Sequence, residues 1–462
     1  SARSEWLGPV LAGTAAAVAP GGFLTSDPSV RTFAWTSPTR SFRAALDEAF
    51  PRGHQVASFA EGRPGLSLST DAFVAWVDGE LLGGHDAFAE HQGKVPLPWP
   101  QGGDYDDDQV GHGHFVAYSR RQLCHIVARS FTGATTDGYA NGLKRFLEKQ
   151  GYGGCLPRTG DFGRGLIVFL ETCYADPGLE HGGHGPLVIV AKASRSPAVG
   201  QVRSEANVPL SRAGLRVCQY DDGAAALGDG VPRVPAEGCQ QPSGSGPGKD
   251  FMTGGLSGQA TQDISAAFLG GYVFGNACGL GGGQDERLMT YMPEVAALTF
   301  FLSQHWQFPQ LRQPAWILGA RMLFKGLDGT ARFDYRLANL TQAPITSDLV
   351  KVELKGKEYN VSGSRPFVAF MSENQGFFSW RSRWDETPLA RRNKLASQRD
   401  VSPGSWHAFD KQVRAWYRSV ALTSYNEAVR PAFKTLVSSV GTGPWLAGLW
   451  WGDSQLGFLA VW

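Results

Sequence analysis

Two glycine-rich stretches set the strongest limits on what this chain can fold into. The first runs from Gly270 and Gly271 through Gly275 and Gly279 to Gly281, Gly282 and Gly283; the second is Gly441-Thr442-Gly443, continuing to Gly448 and Gly452. Each lies between an extended or turn-like stretch and a helical one. Without a Cβ the backbone can approach a ligand closely, and N–H groups at the entrance to a helix favour an anion. Such loops suit a nucleotide diphosphate in an α/β fold, and they also occur as plain turns. Neither completes the dinucleotide-binding GxGxxG pattern: Gly279-x-Gly281 runs on to Gln284 and Gly441-x-Gly443 to Leu446, which weakens a Rossmann reading.

The rest of the pattern fits alternating helices and strands. Residues 42–50 read as helical. Ser119 is placed to cap a buried helix whose Leu123, Ile126 and Val127 recur at helical spacing. Apolar runs follow at 166–170 and 187–191, the second bounded by Gly185-Pro186 and rich in Val and Ile, as a central strand would be. Further on, the sequence predicts a short helix over 263–269, a helix from about 284, and strands at 315–318, 349–354 and 366–371. A helical stretch at 407–431 and a strand-like run at 435–440 lead to a terminal helix. Residues 222–258, dense in Gly, Pro, Ser and Ala, read as an inserted loop.

Composition narrows the function classes. With 42% hydrophobic and 18% charged residues in 462, the chain has the make-up of an ordered protein with a large core. Lys plus Arg (43) nearly equals Asp plus Glu (42), so no global field draws it to nucleic acid or an anionic membrane. The six cysteines, Cys124, Cys155, Cys173, Cys218, Cys239 and Cys278, form no CxxC pair, which speaks for reduced thiols in an intracellular compartment, nuclear or cytoplasmic. The Ala-rich run 6–18 is broken by Gly and Pro and lacks a basic lead, so neither a signal peptide nor a membrane span is expected. His112, His114, His181 and His184 have no companion Cys or carboxylate at ligand spacing, and Asp104, Asp106, Asp107 and Asp108 miss the calcium-loop spacing, so no metal is expected.

Asp285-Glu286 stands where the first glycine loop enters its helix. Carboxylates there can simply cap the helix; a shielded one can also hold its proton near neutral pH and act as a general acid, as glycosidic cleavage requires. Around this pair the sequence resembles the poly(ADP-ribose) glycohydrolase family. Gly270-Gly271, then Gln284-Asp285-Glu286-Arg287-Leu288-Met289 and Met292-Pro293-Glu294, are similar to that family's Gly-Gly-Gly, Gln-Glu-Glu and Asn-Pro-Glu. Gln262-Asp263 through Phe268 resembles its Gln-Val-Asp-Phe-Ala-Asn segment. Trp316-Ile317-Leu318-Gly319-Ala320-Arg321 resembles its Ile-Thr-Gly-Ala-Glu-Arg, and Gly329-Thr330-Ala331 its Gly-Tyr-Ala. Thr442-Gly443-Pro444-Trp445-Leu446-Ala447-Gly448 with Trp451-Gly452-Asp453 is similar to its Thr-Gly-Asn-Trp-Gly-Cys-Gly and Gly-Asp. Ser119-Arg120-Arg121-Gln122-Leu123 to Phe131 resembles its accessory helix.

The resemblance implies an α/β fold with a macro-domain-like three-layer α/β/α core and a helical N-terminal accessory region, divided as 1–195 and 196–462. It implies a hydrolase that cleaves the ribose–ribose O-glycosidic bond of poly(ADP-ribose) and releases ADP-ribose. Glu286 would be the general acid/base and Asp285 would orient the ribose. Asp263, Gly270, Gly271, Gly281, Gly282, Gly283 and Gln284 would line the substrate on one side, and Gly441, Thr442, Gly443, Trp445 and Gly448 would hold the diphosphate on the other. No cofactor or metal is implied. The partners would be poly(ADP-ribose) or ADP-ribosylated proteins, met by a monomer without direct nucleic-acid readout or membrane contact. Tyr272, Ala266, Thr330 and Pro444 depart from the family's Gly, Asn, Tyr and Asn. They leave open a silent ADP-ribose reader or an ADP-ribosyl-protein hydrolase.

Overall fold

The computed structural model describes residues 24–25, 32–34, 38–49, 70–83, 94–96, 114–132, 159–176, 178–179, 184–193, 264–269, 292–298, 314–321, 324–325, 339–340, 349–363, 367–371, 416, 419, 422–437 and 440–441. These residues form a mixed α/β fold around a nine-stranded sheet. Its strands are β1 (Leu24–Thr25), β4 (His114–Ser119), β5 (Leu187–Lys192), β7 (Ala315–Leu318), β12 (Phe367–Met371), β6 (Ile264–Leu269) and β13 (Val440–Gly441), side by side in that order. The hairpin β10 (Leu349–Leu354) and β11 (Lys357–Ser362) joins through a parallel contact of β11 with the start of β5, Val361 opposite Leu187. Two two-stranded ribbons stand apart from this sheet: β2 (Thr32–Ala34) with β3 (Lys94–Pro96), and β8 (Phe324–Lys325) with β9 (Asn339–Leu340).

Strand direction changes across the sheet. From β1 to β12 every neighbouring pair is antiparallel, whereas β12, β6 and β13 run parallel. The Val/Ile-rich β5 and the short β7 are buried along their whole length, the signature of strands covered on both faces. On one face Leu187, Ile189, Ala191, Trp316 and Leu318 pack with Val352, Leu354, Tyr425 and Phe433. Residues of the opposite parity, Val116, Tyr118, Val188, Val190 and Ile317, are equally buried and point the other way. The expected strands at 187–191, 315–318, 349–354 and 366–371 are present within a residue of their bounds.

Six α-helices are described: α1 (Phe42–Ala49), α2 (Thr70–Trp76), α3 (Arg120–Thr132), α4 (Thr159–Tyr174), α5 (Pro293–Ala297) and α6 (Arg430–Leu436). A π-helical segment, Val77–Gly83, directly continues α2, and its Asp78 accepts from the Phe42 N–H at the start of α1, 2.8 Å away. The helices α3, α4 and α5 pack against one another. Ser119 caps α3 as its spacing predicts: its Oγ accepts from Gln122 N at 3.2 Å while Gln122 Oε1 accepts from Ser119 N at 2.8 Å, a reciprocal capping box.

Three expected elements take other forms. The helical stretch expected at 407–431 is broken, among the described residues, into 3-10 turns at Leu422–Ser424 and Glu427–Val429 before α6 begins at Arg430. The short helix predicted over 263–269 is strand β6, whose small-residue run is held by main-chain pairing to β12 on one side and β13 on the other, tertiary context overriding a weak propensity. The strand-like run at 435–440 splits: Thr435 and Leu436 finish α6, and Val440 and Gly441 pair with β6. Strands β1, β4 and β5 precede residue 195 and share one sheet with β6, β7 and β10 to β13.

Candidate functional site

The strands that feed the two glycine-rich loops are neighbours. β6 ends at Leu269, one residue before Gly270, and β13 ends at Gly441. They pair in parallel, Val440 opposite Ile264 and Gly441 opposite Ser265, so the chain leaves both in the same direction. The carboxyl ends of adjacent parallel strands are where open α/β sheets bind ligands, because loops and helix entrances gather there.

Of the residues expected to form the site, only Gly441 lies within the described part, as the last residue of β13. Glu286, Asp285, Gln284, Gly281, Gly282, Gly283, Gly270, Gly271, Asp263, Thr442, Gly443, Trp445 and Gly448 lie outside the described residues. So do three of the departures, Tyr272, Thr330 and Pro444. The fourth, Ala266, pairs with Val368 in β6.

Eight residues after Glu286, Glu294 is the centre of a buried ionic cluster. It sits in α5, which starts at Pro293 and whose N-cap position, Met292, offers no side-chain hydrogen bond. Its Oε1 accepts from Arg120 Nε at 2.9 Å and from Arg321 Nε at 3.0 Å; its Oε2 accepts from the backbone N–H of Arg321 at 2.8 Å. Arg120 Nη1 stands 3.4 Å from Asp176 Oδ2. Arg120 and Glu294 are wholly inaccessible. Two guanidinium groups and two carboxylates make the cluster neutral, the condition under which charges persist in a core.

Burial alone would push the Glu294 carboxyl up, but the positive charges of Arg321 and Arg120 and the Arg321 backbone N–H outweigh it and hold the group below its ordinary value. Burial would lower Arg120, yet Glu294 and Asp176 raise it, so both partners stay charged. Arg321 Nη2 is 3.0 Å from Glu294 Oε1 but poorly aligned for a hydrogen bond. It, Arg321 Nη1 and Arg120 Nη2 find no hydrogen-bond partner among the described residues. The cluster ties together four segments far apart in sequence: the start of α3, the chain just after α4, the start of α5 and the chain leaving β7.

Gly319 fixes how β7 ends. Its φ of +82° is in the left-handed region, and a Cβ there would meet Val361 Cγ1 and, at 2.7 Å, the carbonyl oxygen of Leu187. Only glycine lets β7 stop where β11 comes alongside β5, and Arg321 follows two residues later. Among the described residues no group of three or more His, Cys, Asp or Glu is gathered as a metal site would need. His184, half-buried, uses its carbonyl to accept from Arg121 N at 3.1 Å. No described helix is long and apolar enough to cross a membrane.

No protein-family model matches the chain, and no curated protein matches it significantly. The ionic cluster was missed as a unit by sequence reasoning, although Arg120, Glu294 and Arg321 each fall in a separate block of the family resemblance. A charged residue amid apolar ones, as in Met292-Pro293-Glu294-Val295-Ala296-Ala297-Leu298, is the signal that could have found it: an acid in an otherwise buried stretch needs a partner.

Proposed function

We propose that this protein is a glycohydrolase of ADP-ribose polymers, cleaving the ribose–ribose O-glycosidic bond of poly(ADP-ribose) and releasing ADP-ribose from a macro-domain-like core. The observation that carries the reading is the parallel adjacency of β6 and β13, which sends the two glycine-rich segments out from the same edge of the sheet. Joint use of two such loops on one diphosphate requires that arrangement. It is independent of the motif resemblance, since nothing in the residue blocks dictates which strands are neighbours.

In this reading backbone N–H groups of the two loops hold the diphosphate, and Gln284 contacts the substrate. Asp285 orients the ribose next to the bond to be cut. Glu286, protonated, gives its proton to the departing ribose oxygen as the C–O bond breaks. As a carboxylate it then takes a proton from the water that attacks the anomeric carbon, which regenerates the acid.

Incubating the full chain with labelled poly(ADP-ribose) should release ADP-ribose. Glu286→Gln should slow release by roughly a hundredfold or more, the usual contribution of a positioned acid, and leave ADP-ribose binding by calorimetry intact. An unchanged rate in that variant would refute the mechanism. Binding of ADP-ribose with no turnover by the unsubstituted protein, on polymer or on mono-ADP-ribosylated protein, would favour a reader, the role suggested by Tyr272, Ala266 and Thr330. Turnover on the mono-ADP-ribosylated protein alone would identify an ADP-ribosyl-protein hydrolase.

A further inference from the structure

We propose that Glu373, two residues beyond the end of β12, takes the hydroxyls of the adenosine ribose when ADP-ribose is bound. The choice of ligand rests on the glycohydrolase reading; the place of Glu373 rests on strand pairing. Strand β12 runs parallel to its neighbour β6, in register from Phe367 opposite Ser265 to Met371 opposite Leu269. The two strands therefore end level, about 5 Å apart across the sheet, and the chain leaves both in the same direction. Leu269 passes into Gly270-Gly271, and Met371 into Ser372-Glu373. The other neighbour, β13, stops with Gly441 opposite Ser265, so it is β12 whose end is level with the start of the first glycine loop.

Three parallel strands thus deliver chain to one edge, and they differ in how soon an acid follows. After β6 the first is Asp285, after β13 it is Asp453, and after β12 it is Glu373. Glu373 lies outside the described residues. Two peptide units nonetheless keep its Cα within about 7 Å of the Met371 Cα, whatever path the chain takes. Chain length sets no such bound on Asp285 or Asp453.

A nucleoside diphosphate makes two separate demands on a site. Its phosphates call for N–H donors, which glycine-rich turns at the carboxyl ends of parallel strands supply. Its ribose presents hydroxyl donors and calls for an acceptor. An ionised carboxylate only accepts, and its two oxygens can take the neighbouring 2′ and 3′ hydroxyls together. Dinucleotide-binding sheets divide the work in this way, with a glycine-rich turn on the pyrophosphate and an Asp or Glu on the ribose hydroxyl. This chain lacks that fold's glycine spacing, yet the pairing of β6 with β12 brings a glycine loop and a carboxylate to the same edge. Glu373 is then a specificity-determining contact, separate from the proton transfer assigned to Glu286.

Calorimetry on the full chain tests this with two ligands, ADP-ribose and its analogue lacking the 2′ hydroxyl of the adenosine ribose. The unsubstituted protein should prefer ADP-ribose by roughly tenfold or more, the usual worth of a hydrogen bond to a charged group. Glu373→Ala should lose affinity for ADP-ribose by a similar factor and bind the two ligands about equally, with Glu373→Gln in between. Glu286→Gln should keep the full preference. An acid that merely supported the fold would weaken both ligands alike, so an unchanged preference in Glu373→Ala would overturn the proposal while leaving the glycohydrolase reading in place. Equal binding of both ligands by the unsubstituted protein would overturn it as well, without recourse to a variant. Binding of neither ligand by the unsubstituted protein would remove the glycohydrolase reading and the ribose contact together.

Discussion

Replacing Glu294 by Gln tests whether the ionic cluster holds its segments together or merely fills space. The substitution keeps the size of the side chain and one carbonyl oxygen able to accept from the Arg321 N–H. It removes the negative charge toward which Arg120 Nε and Arg321 Nε point at 2.9 and 3.0 Å. Arg120 would then keep Asp176 as a carboxylate partner while Arg321 would have none among the described residues, leaving an unmatched positive charge in the core. Breaking a buried ion pair in this way costs about 3–5 kcal/mol. Retention of one acceptor places this case near the lower end, about 3 kcal/mol, or roughly a hundredfold in an opening equilibrium. Native-state hydrogen exchange followed on peptides covering Pro293–Ala297 and Ala315–Leu318 measures that opening locally, without assuming that a chain of this length unfolds in one step. Adding Arg321→Met restores charge balance, leaving Arg120 with Asp176. The double variant should exchange more slowly than the single one, recovering about 1–2 kcal/mol. Acceleration of less than about fivefold in Glu294→Gln, or additive losses in the double variant, would refute the account of the cluster as a mutually compensated unit.

Two further outcomes follow from the same region. Gly319→Ala should destabilise the junction of β7 and β11 by at least ~2 kcal/mol, since it adds left-handed strain to a clash with the Leu187 carbonyl 2.7 Å away; a melting temperature equal to that of the unsubstituted protein would contradict this. Acidification should weaken the fold through Glu294. Its carboxyl is held below the ordinary value of 4.5, so its contribution is fully present above the unfolded carboxyl's pKa and is lost as pH falls through the lower folded value. Glu294→Gln should therefore be destabilised most at neutral pH and converge on the unsubstituted protein at strongly acid pH, as read by melting temperature against pH.

How much of this was legible in the sequence depends on what fixes each element. β5 could be read directly because Leu187-Val188-Ile189-Val190-Ala191 is apolar throughout, and a strand buried on both faces needs no periodicity. The α3 cap could be read because Ser119 and Gln122 satisfy each other within four residues. β6 could not. Ile264-Ser265-Ala266-Ala267-Phe268-Leu269 carries no strong local preference, and its state is decided by partners about a hundred residues or more away in β12 and β13. The same holds for β4, where the run from Phe115 to Tyr118 passes straight into α3 without a glycine or proline to mark the change. Of the site, the sequence marked loops and acids, while the neighbour relation of β6 and β13 and the joining of Arg120, Glu294 and Arg321 are tertiary facts that no local window contains.

Strand direction places these two features at opposite ends of the sheet. Ser265, Phe367 and Ile317 align across β6, β12 and β7. β6 and β12 run from that level together to Leu269 and Met371, whereas the antiparallel β7 runs the other way to Leu318 and on to Arg321. Glu294, bonded to the Arg321 backbone, therefore lies toward the end of the sheet opposite Leu269; the strand residues between these ends, four steps in β6 and one in β7, span about 16 Å at ~3.3 Å per residue. The chain leaves β6 at Leu269 and is next described at Met292, and Gln284, Asp285 and Glu286 fall between these two points in sequence. One boundary of this segment is held by the parallel pairing of β6 in the sheet and the other by three hydrogen bonds to a buried carboxylate, whose loss burial makes costly.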